Sequence, residues 1–133
     1  MQPVLCTYCS RTKRLDEERL PAWQRYESSR IHDLVHRGEK EGRECFILSG
    51  KYGLIHAEQA IPNYDHLLVQ EEVAGRLPEV VKQLQAHAVE AVEYHTADPE
   101  RFEEVRPYRD LLYQACIQAG VIWNEVKMEG APD

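Results

Sequence analysis

The segment that decides the fold is Cys45-Phe46-Ile47-Leu48-Ser49-Gly50-Lys51-Tyr52-Gly53, in which apolar residues run directly into a polar turn flanked by glycines. Its first four residues are apolar and β-prone, which predicts a short buried strand. Ser49, Gly50 and Lys51 then place a hydroxyl, a flexible backbone and an ammonium group at the carboxyl end of that strand. Open α/β sheets bind ligands at this edge, so the turn is a candidate site. An ordinary strand-ending turn is the alternative interpretation.

Strands and helices alternate on both sides of this segment. The sequence predicts further strands at Val4–Thr7, Ala91–His95 and Val121–Val126. Helical spacing is predicted in three other segments: Pro21 to near Gly42, Val69–His87 with a kink or restart at Pro78, and Asp98-Pro99-Glu100 onwards to Gly120. Alternating strands and helices imply right-handed crossovers. The predicted fold is therefore a single α/β domain over residues 1–133, a three-layer sandwich with a mainly parallel, Rossmann-like sheet of about four strands.

Composition and charge restrict the class of protein. The chain has 133 residues, of which 43% are hydrophobic and 29% charged, and no apolar run approaches the ~20 residues of a membrane-spanning helix. We expect a cytoplasmic protein without a membrane partner, because the amino-terminal residues lack the pattern of a secretory signal. The formal net charge of −7 argues against nonspecific binding of duplex DNA. A local anion site fits the cluster of positive residues Arg11, Lys13, Arg14 and Arg19. The sequence identifies neither a cofactor nor an oligomeric state.

Cysteine spacing leaves a redox and a metal interpretation open. Cys6-Thr7-Tyr8-Cys9 has the spacing of redox dithiols and of half a zinc site, but the chain has no second such pair. On a strand, Cys6 and Cys9 would point to opposite faces. Cys45 and Cys116 have apolar neighbours and are expected to be core residues.

The connection Tyr52–Leu68 is predicted to be long and irregular, and connections of this kind are often functional. Asp65 and His66 lie near its end and are candidates for proton transfer or for hydrogen bonds to a base or ribose. Capping of a turn is the alternative role of Asp65.

Polar residues that follow the first two strands are expected to converge if those strands are neighbours. The predicted pocket consists of Ser10, Lys13, Ser49, Gly50, Lys51, Tyr52, Tyr64 and Asp65. Lys13 is the preferred catalytic residue, because a crowded or desolvated lysine becomes partly neutral and can attack a carbonyl, nitrile or sugar carbon. A solvated surface lysine is the alternative. Cys9 is a second candidate nucleophile beside these cations, or else a packed strand-end thiol.

Three residues of the first predicted helix are further ligand-binding candidates. Tyr26, Ser29 and His32 recur every three residues, which would place them on one helix face directed toward the first loop. Tyr26 could equally join the core. His32 and His36 have the spacing of metal ligands, but the residue between them that would be glutamate in a metalloprotease is Asp33, and no metal site is predicted. Trp23, Tyr52 and Tyr64 could either stack on a base or pack in the core.

The two strand-end motifs resemble those of an uncharacterised bacterial and phage domain family. The segments Cys9–Lys13, Leu48–Ile55 and Ile61–Asp65 occur in the same order in that family, which is itself similar to the peroxide-stress protein YaaA. YaaA carries a Pro-Tyr pair where Asn63 here separates Pro62 from Tyr64. The resemblance implies a link to DNA binding and oxidative protection, although YaaA proteins are much longer.

A second motif is similar to that of archaeosine synthase, which modifies a deazaguanine base in transfer RNA. Cys9-x3-Lys13 and Tyr26-x2-Ser29-x2-His32 match its two halves. Here Tyr8 replaces the proline before the cysteine, and residues 14–25 separate the halves. This resemblance implies a nucleobase as the class of ligand.

These observations lead to one preferred function and two alternatives. The preferred one is an enzyme that acts on a nucleobase, nucleotide or nucleic acid through the lysine, serine and tyrosine pocket. The alternatives are a noncatalytic module that binds nucleotides or single-stranded nucleic acid, and a thiol redox stress protein that uses Cys6 and Cys9.

Overall fold

The structure is a computed structural model that describes residues 2–15 and 18–133. In chain order its elements are β1 (Val4–Tyr8), β2 (Leu20–Pro21), α1 (Ala22–Arg25), α2 (Ser29–Glu41), β3 (Cys45–Ser49), β4 (Gly53–His56), β5 (Ala60–Ile61), α3 (Val73–Ala86), β6 (Ala91–Ala97), α4 (Arg106–Ala119) and β7 (Ile122–Met128). Short 3-10 turns at Gln70–Glu72 and Glu103–Val105 precede α3 and α4.

The central sheet has five strands in the order β4-β3-β1-β6-β7. β1 is parallel to both β3 and β6, β6 is parallel to β7, and β4 is antiparallel to its neighbour β3. The prediction of an α/β fold with a mainly parallel sheet is confirmed. Its finer assignment to a three-layer, Rossmann-like sandwich stays a prediction.

The fifth strand arises from a hairpin that the sequence pattern did not predict. Gly53 adopts φ +73°, a left-handed conformation that suits glycine, and the chain turns back so that Gly53 pairs with Ser49. Leu54 and Ile55 then pair with Leu48 and Ile47 and are buried. The prediction that Tyr52–Leu68 is wholly irregular is therefore wrong. β5, in the same segment, pairs with β2 in a separate two-stranded sheet.

The first predicted helix is interrupted. α1 ends at Arg25, and Tyr26 has extended backbone angles (φ −83°, ψ 122°). Ser28 then begins a new helix, because its Oγ accepts a hydrogen bond from the Ile31 amide at 3.1 Å. Gly42 ends α2 in the left-handed conformation, close to the predicted end.

The other two helices begin later than predicted. α3 begins at Val73 and contains Pro78. Asp98 caps a turn instead of a helix, since its Oδ1 accepts the Glu100 amide at 3.0 Å, and Asp-Pro pairs also favour turns. α4 begins at Arg106, with Pro107 in its first turn.

The core lies around the central strands. α2 packs on β1 and β3, while α3 packs on α4 and β4. Cys45 and Cys116 are buried in this core, as predicted, and burial raises the pKa of each thiol to about 12. Within residues 2–15 and 18–133, no helix has the length and apolar character needed to cross a membrane.

Candidate functional site

A cleft of about 970 Å³ opens at the carboxyl end of β1. β1 lies in the middle of the sheet, with β3 and β4 on one side and β6 and β7 on the other. The chain therefore switches sides of the sheet at β1, and α/β sheets form crevices at such a point. The cleft is lined by Tyr8, Cys9, Arg11, Thr12, the segments 67–71 and 103–108, Pro132 and Asp133.

Cys9 lines this cleft and is buried. Its backbone amide bonds to the Leu48 carbonyl at 2.9 Å, which ties the end of β1 to β3. Its Sγ donates to Tyr108 Oη at 3.6 Å, and the Leu68 amide donates to the same oxygen at 2.9 Å. Burial, and secondly the nearby Cys9, raise the pKa of Tyr108. The thiol is thus held by a phenol that remains protonated.

Behind Cys9 lies a hydroxyl cluster formed by Tyr26, Ser49 and Tyr64. Ser49 Oγ accepts the backbone amides of Lys51 at 3.1 Å and Tyr52 at 3.0 Å, and it donates to Tyr64 Oη at 2.9 Å. The hydroxyl oxygens of Tyr64 and Tyr26 are 2.6 Å apart. Burial and then the proximity of Cys9 raise the pKa of both tyrosines.

Lys13 lies on the aromatic surface of this cluster. Its Nζ is 4.6 Å from the centroid of the Tyr64 ring and 5.9 Å from that of Tyr26. Ring faces attract cations at this distance. The backbone of Lys13 also pairs with that of Tyr26 in an isolated antiparallel bridge, which holds the loop after β1 against the segment between α1 and α2.

Lys51 and Asp65 are two further members of the predicted pocket. Both residues are exposed. Lys51 Nζ lies 5.4 Å from the Tyr52 ring centroid, and that ring contacts Tyr64 edge-on at 5.2 Å. Because Ser49 already accepts the amides of Lys51 and Tyr52, these two groups are engaged within the turn. The ligand-binding role of this turn stays a prediction.

Gly50 explains why the turn after β3 approaches the segment before α3 so closely. A Cβ atom on Gly50 would lie 2.5 Å from the His66 carbonyl oxygen and 3.0 Å from the Leu68 amide nitrogen. Only glycine fits this backbone contact without a shift. The close approach positions the Leu68 amide on Tyr108 and thereby closes one wall of the cleft.

The remaining predicted site residues have local roles in the structure. Ser10 is buried, and its Oγ donates to the Thr12 carbonyl at 2.6 Å within the loop after β1. Ser29 is exposed in the first turn of α2. The His32 ring packs edge-on against Trp23 at 5.5 Å. The predicted common helix face of Tyr26, Ser29 and His32 is wrong, because Tyr26 precedes α2 in an extended conformation.

The metal and redox interpretations of the cysteines find little support in this geometry. In the described ranges 2–15 and 18–133, no group of three or more His, Cys, Asp or Glu side chains could hold a metal ion. Cys6 and Cys9 are both free thiols. Cys6 is fully buried within β1, and burial raises its pKa well above the ordinary value.

Sequence reasoning missed Tyr108 and Arg30. Tyr108 is near the start of α4, 99 residues from the thiol that it contacts. The Arg30 guanidinium stacks 3.8 Å above the Tyr8 ring, and its Nη1 donates to the Tyr8 carbonyl at 2.8 Å and to Thr7 Oγ1. The one local signal for Arg30 is its place in the first turn after the Ser28 cap.

Comparison with protein families gives one result that covers nearly the whole chain. Residues 4–130 match DUF6884, a family of unknown function. The chain belongs to DUF6884. The expected membership of an uncharacterised family is thereby confirmed, and the DUF6884 match extends from β1 through β7, including Cys9 and Tyr108. No curated protein and no solved structure matches the chain.

Proposed function

We propose that this protein is an enzyme that acts on a nucleobase, nucleotide or nucleic acid held in the cleft at the carboxyl end of β1. The observation that carries the proposal is the Cys9 thiol, which lines a cleft of about 970 Å³ at the point where the chain switches sides of the sheet. Cavities of ~300–1,000 Å³ are typical of small-molecule sites. A reactive group inside such a cavity favours catalysis over simple binding.

The lining supports a ligand with both an aromatic and a polar part. Tyr8 and Tyr108 have ring centroids 6.1 Å apart and supply apolar surface. Arg11 and Arg106 supply donors for an anionic group, while Glu71 and Glu103 supply acceptors for base or ribose donors. A nucleotide combines these features in one molecule.

In this proposal Cys9 is the nucleophile and Tyr108 orients its sulfur. A thiol becomes reactive as the thiolate, which neighbouring cations favour. Lys13 follows the lining residues Arg11 and Thr12, and its ammonium group lies against Tyr64. A charge-stabilising role beside the cleft suits this position of Lys13 better than a role as nucleophile.

The motif resemblances refine the class of ligand. The similarity of Cys9-x3-Lys13 to archaeosine synthase supports a modified or unmodified purine, and the YaaA-like turns support a role linked to nucleic acid. A Rossmann-like sandwich, a single domain and a cytoplasmic location belong to the same proposal. Each of these finer assignments depends on sequence motifs and composition.

A thermal-shift screen tests the proposal. Purified protein is heated with nucleobases that include deazaguanines, nucleotides, short oligonucleotides and zinc, because a ligand that binds only the native state raises the melting temperature. Ligands that give a shift are then incubated with protein and analysed for chemical change by mass spectrometry. The variants Cys9→Ser and Lys13→Ala are compared with Lys82→Ala, which removes an exposed lysine of α3.

The outcomes separate the functions. The proposal predicts that Cys9→Ser keeps the thermal shift and loses turnover, while Lys82→Ala keeps both. Binding without turnover by the unmodified protein would instead favour the noncatalytic module. No shift with any nucleobase, nucleotide or oligonucleotide would reject the proposal.

The thiol redox alternative is the less supported one. A redox dithiol needs a thiol that can reach its partner as thiolate, yet Cys6 is fully buried between β3 and β6. Reversible formation of a Cys6–Cys9 disulfide in the native protein would overturn this judgement.

A further inference from the structure

A carboxylate occupies a set of hydrogen-bond donors at the start of α2. Asp133, in the segment after β7, accepts Ser28 Oγ at 2.8 Å on its Oδ2 and Arg30 Nε at 2.9 Å on its Oδ1. The backbone amide of Arg30 lies 3.4 Å from the same Oδ2. A side chain from a distant part of the chain thus sits where a hydroxyl, a guanidinium and a helix amide converge.

The Arg30 guanidinium is held by residues at the end of β1 as well as by Asp133. The Arg30 side chain is only 8% exposed, whereas that of Asp133 is 36% exposed. Arg30 stacks on the Tyr8 ring. Its Nη1 donates to the Tyr8 carbonyl at 2.8 Å, and its Nη2 donates to the Cys9 carbonyl at 3.4 Å. The buried cation would therefore keep its place if Asp133 moved away.

The chemistry of the donors selects an anion. Ser28 Oγ accepts from the Ile31 amide and donates its own proton to Asp133 Oδ2, and both Arg30 groups are donors. The positive end of the 13-residue helix α2 adds to their charge. Arginine beside a helix N-terminus is a recurrent arrangement for phosphate oxygens.

The site adjoins the cleft through Asp133, which lines it. Pro132 and Asp133 are part of the cleft wall, together with Tyr8 and Cys9, whose carbonyl oxygens hold Arg30. A ligand in the cleft therefore has Asp133 as its immediate neighbour. A phosphate group on that ligand would meet the same donors if it displaced the carboxylate.

We propose that Ser28 and Arg30 form the phosphate subsite of the cleft and that Asp133 occupies it as an internal substitute until a phosphate monoester displaces it. This inference rests on the proposed function, because it takes a nucleoside monophosphate as the ligand of the cleft. Asp133 suits the role because it carries charge at neutral pH: burial opposes ionisation, but Arg30 and Ser28 together lower the pKa of its carboxyl group.

Isothermal titration calorimetry of the full chain tests the inference. The probes are inorganic phosphate, guanosine and adenosine, and the 5′-monophosphates of both nucleosides. Asp133→Asn removes the internal charge and keeps the side-chain shape. Glu129→Gln makes the same change of charge at an exposed residue of the same segment and is the matched control.

We expect Asp133→Asn to bind a nucleoside monophosphate at least about tenfold more tightly than the unmodified protein, which corresponds to about 1.4 kcal/mol, because the phosphate no longer has to displace a charged carboxylate. Affinity for the nucleoside should not change, and Glu129→Gln should behave like the unmodified protein. Adding Arg30→Gln to Asp133→Asn should abolish the gain. Ser28→Ala in the same background should reduce it, and it serves as the second test if loss of Arg30 prevents folding.

The readouts distinguish failure of this inference from failure of the proposed function. If Asp133→Asn binds a nucleoside and its 5′-monophosphate with equal affinity, the phosphate subsite is wrong and the proposed function is unaffected. A different result would support the subsite and reject the nucleotide function. In that case Asp133→Asn binds inorganic phosphate more tightly than the unmodified protein does, but it binds no nucleoside, and it binds nucleotides no more tightly than phosphate. Lower thermal stability of Asp133→Asn with no gain in phosphate affinity would identify Asp133 as a structural ion pair and overturn the inference.

Discussion

Tyr26 and Tyr64 contact each other through hydroxyl oxygens that are 2.6 Å apart in a buried part of the molecule. Tyr26 comes from the break between α1 and α2, and Tyr64 from the connection before α3. Ser49, at the end of β3, extends the contact by donating to Tyr64 at 2.9 Å. Three segments that are distant in sequence are thereby joined beneath Lys13 and beside Cys9.

Replacement of Tyr64 by Phe should weaken the fold through this cluster. The substitution leaves the Ser49 and Tyr26 hydroxyls without their shared partner in a buried environment, which typically costs about 1–3 kcal/mol. Urea unfolding measures the loss. Tyr113→Phe is the control, because the contacts of Tyr113 with Trp123 and Arg109 are made by its ring. Equal effects of both substitutions would contradict the role given to the cluster.

A Cβ atom at Gly50 should be costly, while one at Gly75 should not. In Gly50→Ala the new methyl group would meet the His66 carbonyl oxygen at 2.5 Å, and overpacking of this kind costs roughly 1–3 kcal/mol. In Gly75→Ala nothing lies within 4 Å, and alanine in a helix is favoured over glycine by roughly 0.5–1 kcal/mol. Thermal unfolding should therefore shift in opposite directions. A neutral Gly50→Ala would show that the turn after β3 is not constrained by segment 66–68.

Glu93 should make stability depend on acid pH. Burial opposes its ionisation, but hydrogen bonds from His95 and Arg43 prevail and lower its pKa. Because the folded pKa lies below the unfolded value of about 4.3, the stabilisation is complete above that pH and is lost as the pH falls through the folded pKa.

Urea unfolding between pH 3 and pH 7 tests this expectation. Glu93→Gln should reduce stability most near neutral pH and least at pH 3, so the acid-dependent part of the curve becomes flatter. Glu58→Gln, at an exposed position of the turn after β4, is the control and should leave the curve unchanged. A loss of the same size at both ends of the range would mean that Glu93 contributes through packing alone.

Cys9 should be the first thiol to react in the native protein. Cys45 and Cys116 lie in the core, where burial raises the pKa of each thiol to about 12, and Cys6 is buried as well. Cys9 is also buried, at 4% exposure, but it lines the cleft, and thiol reactivity depends on both access and thiolate content. Alkylation at pH 8 followed by peptide mass spectrometry should show one fast site that Cys9→Ser removes. Modification of Cys45 or Cys116 at the same rate would show that the cleft gives Cys9 no added access to reagents.

The sequence was sufficient to predict those elements whose signals are local. Runs of β-prone apolar residues marked β1, β3, β6 and β7, and Gly42 and Gly120 marked helix ends. β4 was missed because its pairing depends on how the chain turns at Gly53. The sequence pattern does not predict the helix break at Tyr26, because apolar residues continue at helical spacing on both sides of it. An aspartate before a proline can mark either a turn or the start of a helix. At Asp98 the chain forms a turn.

The candidate site was predictable only in part, for a physical reason. The sequence predicts that Lys13, Ser49, Tyr52 and Tyr64 converge, and the structure brings the first three together around Tyr64. Tyr108, Arg30 and Asp133 come from elements whose packing is set by tertiary contacts. No local pattern distinguishes the Asp133 carboxylate from other surface acids until Arg30, which lies 103 residues away, is seen beside it.

Protection of Cys9 by a bound nucleotide tests most directly the claim that the cleft is the functional site. The rate of Cys9 alkylation is measured with and without the nucleotide-class ligand that gives the largest thermal shift, with Cys45 as the internal reference. At a ligand concentration ten times its dissociation constant only about one molecule in eleven is free, so the rate at Cys9 should fall about tenfold while that at Cys45 does not change more than global stabilisation requires. An unchanged Cys9 rate at that occupancy would contradict the assignment of the ligand to the cleft.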